Sequence, residues 1–294
     1  MTQGGDTYDL DAGPDPADYA AATPEPTDGP ADGAVVHAVG IGPGNPAYLV
    51  PRAEEALRAA DVVVGFETVV DFVRDRTDAD LLTCGYRDEA TALTTFAERV
   101  AGGERGTAVL MGDPNHSGYQ FVGKVERAVD EAVGDSIDLR VVPGISSLQI
   151  AASRARTPFE DATFVTLHKS GDVDDDLRRL REAVGGRHLL VLPRPFDWMP
   201  GDIAADLLEH GGRPSDTALV CERLTHADER ITRTTRRTRS PHTPAATLGP
   251  TRRVPISPCL SFVGRSDCLR LSAADNERGR VPVGEYRLPL DSPA

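Results

Sequence analysis

Apolar and polar positions alternate between strand-like and helix-like patterns from Val35 onward. Short β-branched or aliphatic runs bounded by turn residues predict buried strands at residues 35–39, 61–65, 107–111 and 139–142. Between and after them, apolar residues recur at helical spacing in residues 51–60, 93–100, 122–133 and 147–155. Because parallel strands need crossover connections, this alternation predicts an α/β fold with a mainly parallel sheet flanked by helices.

A second alternating unit follows residues 156–162, where Pro158 cannot continue a helix. Its predicted strands are residues 163–167, 188–192 and 217–221, and its predicted helices are residues 174–184 and 200–210. We therefore expect two α/β domains, residues 34–157 and 158–232, and the second could reach about residue 270. Ligands favour the cleft between two such domains, so we expect the active site there.

Both ends of the chain differ from this pattern. Residues 1–33 carry eight acids, no Lys or Arg, and repeated Pro, Gly and Ala, which predicts a disordered acidic leader. Residues 233–294 carry 11 bases and 5 acids, against 21 bases and 41 acids in residues 1–232. This atypical basic tail is interpreted either as disordered or as the product of a shifted reading frame after about Thr234. Translation of the gene in its other two frames distinguishes the two.

Charge and composition narrow the class of protein. The chain has 46 acids and 32 bases, and a net charge of −14 argues against a protein that grips nucleic acid or an anionic membrane. No secretory signal or 18-residue apolar segment is seen, so we expect a cytoplasmic protein. Lys124 and Lys169 are the only lysines, which suggests a halophilic source. The four cysteines show no Cys-x-x-Cys pair, so we expect reduced thiols and no metal site.

A glycine-rich loop, residues 40–44, follows the first predicted strand and precedes a helix. Glycines allow a tight turn and close approach of a ligand to the backbone. A dinucleotide-binding loop is one alternative, although Gly44 falls one position too early for G-x-G-x-x-G. A purely structural turn is the other.

Two more loops follow predicted strands in the same way. Asp113, in residues 112–118, stands at a strand's carboxyl end, the edge at which open α/β sheets bind ligands. In residues 143–147, Ser146 or Ser147 is placed to cap the next helix. An Asx turn and an ordinary capped helix are the structural alternatives. Together, the three loops are predicted to converge on one rim of the sheet.

The segments VGIGPGNP, GDP followed by Gly118, VPGISS, VTLHKS and CERLTHADERI occur in the order seen in one family. In this the chain resembles the tetrapyrrole methylases, a two-domain family that methylates intermediates of sirohaem and cobalamin synthesis. The pairing of VTLH with ERLTHADERI is most similar to the branch that acts on C5 of precorrin-7 or its cobalt form. The likeness covers about residues 34–232.

The resemblance implies S-adenosylmethionine as cofactor, bound in the interdomain cleft, and a homodimer. Carried over position by position, the implied cofactor-binding residues are Gly42, Pro43, Gly44, Met111, Gly112, Asp113, His116, Ser146, Ser147 and Leu167. The chain departs from the family's pattern at Asn115 and His116, where an apolar or aromatic pair is more usual.

Candidates for the substrate side come from the second domain. His168 is the candidate catalytic base, with an ordinary strand-end histidine as the alternative. Precorrins carry many carboxylates, so cations are expected at the cleft rim. The candidates are Lys169 together with Arg154, Arg156 and Arg194, each of which could equally be a solvated charge. Glu222 and Arg223 match the family's segment that faces the substrate.

These features predict a methyltransferase that moves a methyl group from S-adenosylmethionine to C5 of precorrin-7 or cobalt-precorrin-7, with a tetrapyrrole as its small-molecule substrate. One alternative is the methylase of the same fold that builds diphthamide on an elongation factor. A noncatalytic carrier of cofactor or tetrapyrrole and a nicotinamide enzyme are the others. Binding of isolated tetrapyrrole, turnover of precorrin-7, and binding of S-adenosylmethionine rather than NAD separate these four hypotheses.

Overall fold

A computed structural model describes residues 34–85, 87–116, 118–134, 137–169, 171–195, 197–234 and 259–264. The predicted acidic leader, residues 1–33, lies outside the described residues. So does most of the predicted basic tail, residues 235–258 and 265–294. The leader, the reading-frame hypothesis and the domain limits therefore stay predictions.

The first sheet has five strands in the order β3-β2-β4-β1-β5, and every pair of neighbours is parallel. Its strands are β1 (Ala34–Gly40), β2 (Val62–Phe66), β3 (Asp80–Cys84), β4 (Gly106–Leu110) and β5 (Ile137–Val142). The helices that accompany them are α1 (Pro51–Ala59), α2 (Glu67–Val70), α3 (Glu89–Ala101) and α4 (Tyr119–Val133), with single 3₁₀ turns at Pro46–Tyr48 and Arg74–Arg76. The connection after β5 leads into α5 (Ser147–Ala155).

The second sheet also has five strands, in the order β6-β7-β10-β8-β9. They are β6 (Ala162–Thr166), β7 (His188–Leu192), β8 (Thr217–Glu222), β9 (Arg230–Thr234) and β10 (Cys259–Gly264), with a 3₁₀ turn at Phe159–Asp161 and helices α6 (Asp174–Ala183) and α7 (Pro200–Glu209). Only the pairing of β8 with β9 is antiparallel. Strand β10 comes from the stretch predicted as a tail, yet it lies between β7 and β8.

Side chains on both faces of the first sheet are buried, as expected for parallel strands covered by helices. On one face of the sheet, Phe96 of α3 and Val125 of α4 belong to one buried cluster. On the other face, Leu57 of α1 packs in a second cluster with Val63 and Val109. Full burial of one such side chain stabilises the fold by about 1.5–3 kcal/mol. The fold class predicted from the hydrophobic pattern is therefore confirmed.

Helix α5 follows the first sheet in sequence but contacts the second. Its residues Leu148, Ala151 and Ala152 share one buried cluster with Leu190 and Cys221 of β7 and β8. Tyr48, from the 3₁₀ turn beyond the glycine loop, packs against the same cluster. The two sheets are thus joined by apolar contacts as well as by the chain.

The hydrophobic pattern did not predict α2, β3, β9 or β10. Strand β3 is a sheet edge with exposed and half-buried positions, so it lacks the continuous apolar run of a central parallel strand. Strand β9 is the edge of the second sheet, and its sequence Arg-Ile-Thr-Arg-Thr likewise has no apolar run. No helix among the described residues is both long enough and apolar enough to cross a membrane.

Candidate functional site

The strand order of the first sheet places three loops side by side. Because β1 lies between β4 and β5 and all three are parallel, the loops that follow them leave the sheet at the same edge. Gly42 and Gly112 exchange two backbone hydrogen bonds, from Gly42 N to Gly112 O at 3.2 Å and from Gly112 N to Gly42 O at 2.8 Å. The Asp113 carboxylate accepts from Gly144 N at 3.2 Å. The structure thus brings the three predicted loops together.

Backbone contact at this point requires glycine. A Cβ added to Gly40 would lie 2.5 Å from Gly112 O and 2.7 Å from Gly144 N. A Cβ on Gly144 would overlap the same carbonyl oxygen of Gly112. Since these neighbours are backbone atoms, they cannot move aside as a flexible side chain could. The three loops therefore form a backbone cradle, packed main chain against main chain at the edge where open α/β sheets bind ligands.

Asp113 fixes the second loop to the third. Its Oδ1 accepts from Asn115 N at 2.7 Å, which is the Asx turn foreseen as a structural role. Its Oδ2 accepts from Gly144 N of the neighbouring loop. Each carboxylate oxygen keeps a further lone pair, so a ligand donor can be added without breaking either bond. A negative charge is thus held in a fixed orientation at the edge of the sheet.

His116 lies in the same loop and contacts the start of α5. Its Nδ1 lies 2.9 Å from Ser146 Oγ, and Ser146 caps the helix by accepting from Leu148 N at 3.2 Å. Its Nε2 is buried with no hydrogen-bond partner among the described residues. Burial lowers the pKa of His116, against a smaller opposing effect of Asp113. The site therefore holds an imidazole that favours the neutral form and keeps one nitrogen for a ligand.

Of the other predicted residues at this edge, Met111 and Ser147 are half-buried, and Ser147 is the first residue of α5. Pro43 stands between two glycines with left-handed backbones, Gly42 at φ 74° and Gly44 at φ 100°. Two glycines on either side of one proline leave the isolated loop many conformations, so its observed conformation depends on contacts with other parts of the protein.

Those contacts come from the second domain, in a segment that we call the latch, residues 223–229. Asn45 Nδ2 donates to Thr225 O at 2.6 Å, and His226 Nε2 lies 3.2 Å from Pro43 O. The imidazole of His226 also packs against Phe72, with 5.7 Å between ring centroids. Sequence reasoning quoted the latch as a motif but missed Asn45, Thr225 and His226, since nothing in one sequence links residues 180 positions apart.

The latch has a strained backbone. Arg223 has φ 49° and Thr225 has φ 74°, and the left-handed region costs a non-glycine residue about 1–3 kcal/mol. Glu229 holds the strained turn, because its Oε2 accepts from Thr225 N at 2.7 Å while Arg154 Nε donates to Oε1 at 2.7 Å. The Arg154 guanidinium lowers the pKa of Glu229, and Glu229 in turn raises the pKa of Arg154. A rigid turn therefore faces the glycine loop.

Residues 167–169 follow β6. The side chain of Leu167 is fully buried in the core of the second domain, so contact with a ligand falls to its main chain. His168 is exposed. Lys169 Nζ lies 2.5 Å from Asp176 Oδ2. Leu167 and Lys169 form hydrogen bonds and an ion pair within their own domain, whereas Arg223 belongs to the latch, which contacts the glycine loop.

Most of the predicted rim cations are paired with acids. Arg223 Nε lies 2.5 Å from Asp228 Oδ2, and Arg194 NH2 lies 2.6 Å from Asp197 Oδ2. Glu222 is buried and lies 3.9 Å from Arg230 Nε. A further predicted cation, Arg156, is exposed at the end of α5. Within the described part of the chain, no group of three or more His, Cys, Asp or Glu could hold a metal ion.

Comparison with known proteins identifies the family. The family model described as Tetrapyrrole (Corrin/Porphyrin) Methylases matches residues 35–238. The chain belongs to the tetrapyrrole methylases. It is therefore an S-adenosylmethionine-dependent C-methyltransferase, as the order of its motifs predicts.

The sequence identity between this chain and individual tetrapyrrole methylases is low. The chain is 26% identical to the probable cobalt-precorrin-7 C(5)-methyltransferase of Methanocaldococcus jannaschii, over 67% of this chain and 87% of that protein. It is also 26% identical to the S-adenosyl-L-methionine-dependent uroporphyrinogen III methyltransferase of Methanosarcina barkeri, over 67% of this chain and 80% of the relative.

A solved tetrapyrrole methylase has the same fold. The uroporphyrin-III C-methyltransferase of Thermus thermophilus, complexed with S-adenosylhomocysteine, superposes with a TM-score of 0.51 at 25% identity, over 68% of this chain and 82% of that one. The chain is equally identical to relatives that are named for different substrates, so the comparisons identify the family but do not single out one substrate.

Proposed function

We propose that this tetrapyrrole methylase transfers a methyl group from S-adenosylmethionine to C5 of precorrin-7 or cobalt-precorrin-7. The observation that carries the cofactor assignment is the backbone cradle in which Gly40, Gly112 and Gly144 meet. The substrate assignment rests on the VTLH and ERLTHADERI segments and on the likeness to the Methanocaldococcus jannaschii protein. Both parts of the proposal have their own test.

The residues at the cradle fit a sulfonium nucleotide. At Gly40 and Gly144 a Cβ would overlap the main chain of the neighbouring loops, so glycine keeps the three loops packed together, and the buried Nε2 of His116 lacks a partner among the described residues. Asp113 adds a fixed negative charge. We assign cofactor binding to Gly42, Pro43, Gly44, Met111, Gly112, Asp113, His116, Ser146, Ser147 and the main chain of Leu167.

S-adenosylmethionine supplies a methyl group on a positively charged sulfur. The protein's part is to orient that group and to exclude water, because carbon methylation by a sulfonium needs an in-line approach. The Asp113 carboxylate favours a cation over a neutral product by Coulomb attraction. Gly144 N orients this carboxylate, so the charge requires no rearrangement when the ligand binds.

The substrate side is assigned to Lys169, Glu222 and Arg223. Lys169 and Arg223 are engaged by Asp176 and Asp228, so a substrate carboxylate would exchange one acid for another. Such an exchange at an exposed Arg costs little, because solvent-exposed ion pairs contribute only about 0–1 kcal/mol. His168, exposed directly after Leu167, is the proposed acceptor of the proton that the substrate loses after methylation.

The test is turnover by purified protein given S-adenosylmethionine and, separately, precorrin-7, cobalt-precorrin-7 and uroporphyrinogen III. We expect a product heavier by one methyl group in place of one hydrogen from a precorrin-7 substrate, and none from uroporphyrinogen III. Methylation of uroporphyrinogen III alone would overturn the substrate assignment and leave the cofactor assignment standing. Tight binding of S-adenosylhomocysteine without turnover of any tetrapyrrole would favour a carrier.

The setting of the reaction is proposed on the composition and on the family. The acidic, lysine-poor chain favours a halophilic organism, and the family resemblance favours a cytoplasmic homodimer. Sedimentation at molar KCl tests the dimer. Because a chain of net charge −14 repels itself, we expect the folded state to lose stability when the salt is dialysed away.

A further inference from the structure

The latch bears on the glycine loop at two points. His226 Nε2 lies within hydrogen-bond distance of Pro43 O, and Asn45 Nδ2 donates to Thr225 O. These contacts link a loop of the first domain to a loop of the second. The glycine loop is where tethering matters most, because Gly42 and Gly44 both adopt left-handed conformations that an untethered loop would leave readily.

The side chains of Asn45 and His226 each make two contacts in this region. Asn45 accepts from Ala47 N through Oδ1 at 3.0 Å, which caps the next 3₁₀ turn, and donates through Nδ2 to the latch. The imidazole of His226 packs against Phe72 while its Nε2 faces Pro43 O. A Cβ on Gly44 would lie 3.0 Å from Phe72 Cζ and 3.1 Å from His226 Nε2, so the two rings close over this glycine.

The latch itself is held in place by Glu229 and Arg154. Thr225 N donates to Glu229, and Glu229 receives two hydrogen bonds from Arg154 at 2.7 and 3.1 Å. Arg154 also hydrogen-bonds the side chain of Tyr48, which follows the glycine loop. Tyr48 N donates to Asn45 O at 2.9 Å, so Tyr48, Arg154, Glu229, Thr225 and Asn45 form a closed ring of contacts. Such a ring can retain the left-handed Thr225, which an isolated loop would relax.

We propose that His226 and Asn45 are positioning residues for the cofactor loop: by tying this loop to the latch through Pro43 O and Thr225 O, they preorganise the backbone that receives the nucleotide. This inference rests on the proposed cofactor site. Neither residue need touch the reacting atoms. Their contribution is the ordering of the glycine loop before the ligand arrives, which reduces the entropy lost on binding.

The experiment uses four full-length variants. Three of them remove one interaction of His226 or Asn45 while keeping another, and the fourth is a control. H226F keeps a ring against Phe72 but loses the donor to Pro43 O, whereas H226Q keeps a donor and loses the ring. N45D keeps the cap on Ala47 N but loses the donor to Thr225 O. H210F is the matched control, since His210 is an exposed histidine at the end of α7 whose Nδ1 contacts Asp206.

Two measurements are made on each variant. Amide hydrogen exchange of peptides covering residues 41–50 reports the order of the loop without ligand, and calorimetry with S-adenosylhomocysteine reports affinity. Because one net hydrogen bond corresponds to roughly a 2- to 10-fold change, we expect exchange about 2- to 10-fold faster and Kd raised by a similar factor in H226F and N45D. H226Q should lie closer to the unsubstituted protein, and H210F should match it.

The outcomes separate this inference from the proposed function. If the unsubstituted protein fails to bind S-adenosylhomocysteine, the cofactor assignment is overturned, and the positioning role falls with it. If it binds and both H226F and N45D bind equally well, the positioning role alone is overturned. Faster exchange with unchanged affinity would also overturn it, because order in the loop would then contribute nothing to binding. Faster exchange with weaker binding supports it.

Discussion

His116 Nδ1 and Ser146 Oγ lie 2.9 Å apart and join the loop after β4 to the first turn of α5. Ser146 Oγ already accepts from Leu148 N, so its own proton is available for the ring. A neutral imidazole that accepts a hydrogen bond from this hydroxyl at Nδ1 carries its own hydrogen on Nε2. The buried Nε2 is then a hydrogen-bond donor without a partner of its own among the described residues.

The first prediction is that His116 titrates below its ordinary value of 6.5, because burial lowers its pKa. The unfolded chain then binds more protons than the folded one as the pH falls. The stability that neutral His116 contributes is therefore complete above pH 6.5 and is lost as the pH falls toward the folded pKa. Ring-nitrogen NMR, assigned with H116N, measures the titration. A midpoint at or above 6.5 would contradict the burial argument.

The second prediction distinguishes the two adjacent serines. Ser146 accepts from Leu148 N and Gln149 Oε1 accepts from Ser146 N, a reciprocal cap, whereas Ser147 is the first residue inside the helix. S146A should lower the free energy of unfolding by about 1 kcal/mol, whereas S147A should leave it unchanged or raise it by about a few tenths, because Ala has a higher helix propensity than Ser. Denaturant unfolding of both variants measures the difference. Equal losses would mean that the cap contributes nothing.

Much of this site could be predicted from the sequence because parallel strands obey a simple rule. Loops that follow neighbouring strands emerge at one edge, so Asp113 and Ser146 could be placed together once the strands were recognised. The order in which the strands pair could not be predicted from the same pattern. That β1 lies between β4 and β5 depends on the pairing of whole strands, and the alternation of apolar positions does not encode it.

The latch could not be predicted for a related reason. His226 and Pro43 come from different domains, and their contact depends on a turn in which Thr225 is left-handed. Threonine disfavours that conformation, so local propensity points away from the observed backbone. Strand β10 was missed because its neighbours in sequence lack apolar periodicity, although pairing with β7 and β8 gives it a place in the sheet.

The third prediction concerns the backbone cradle. G144A places a Cβ against the carbonyl oxygen of Gly112 and within reach of Gly40, so the three loops must separate. We expect a loss of about 1–3 kcal/mol of stability, as for overpacking, and the loss of S-adenosylhomocysteine binding. G186A is the matched control, because its Cβ would meet only Ala183 O at 3.8 Å. Retained binding in a folded G144A would show that the cradle is not the ligand's site.

The fourth prediction concerns a buried ion pair at the far side of the first sheet. Lys124 Nζ lies 2.7 Å from Glu89 Oε2, with side-chain exposures of 17% and 7%. Burial, and then the charge of Glu89, raise the pKa of the nearby Cys84 thiol to about 12. The low exposure of the Glu89 side chain itself means that water screens its charge poorly. Removal of Lys124 would therefore leave an uncompensated charge in the interior.

We expect K124M to lose about 3–5 kcal/mol of unfolding free energy, because breaking a buried pair leaves its partner desolvated. E89Q combined with K124M should lose less than K124M alone, since the double variant buries no charge. The exposed pair of Arg58 and Glu54, 2.6 Å apart on α1, provides the comparison, and its coupling should be about 0.3–0.5 kcal/mol. Chemical denaturation of E89Q, K124M and their double variant, and of E54Q, R58M and their double variant, completes both cycles. If the losses at Glu89 and Lys124 simply add, the pair is solvated, and the interior placement of Glu89 is wrong.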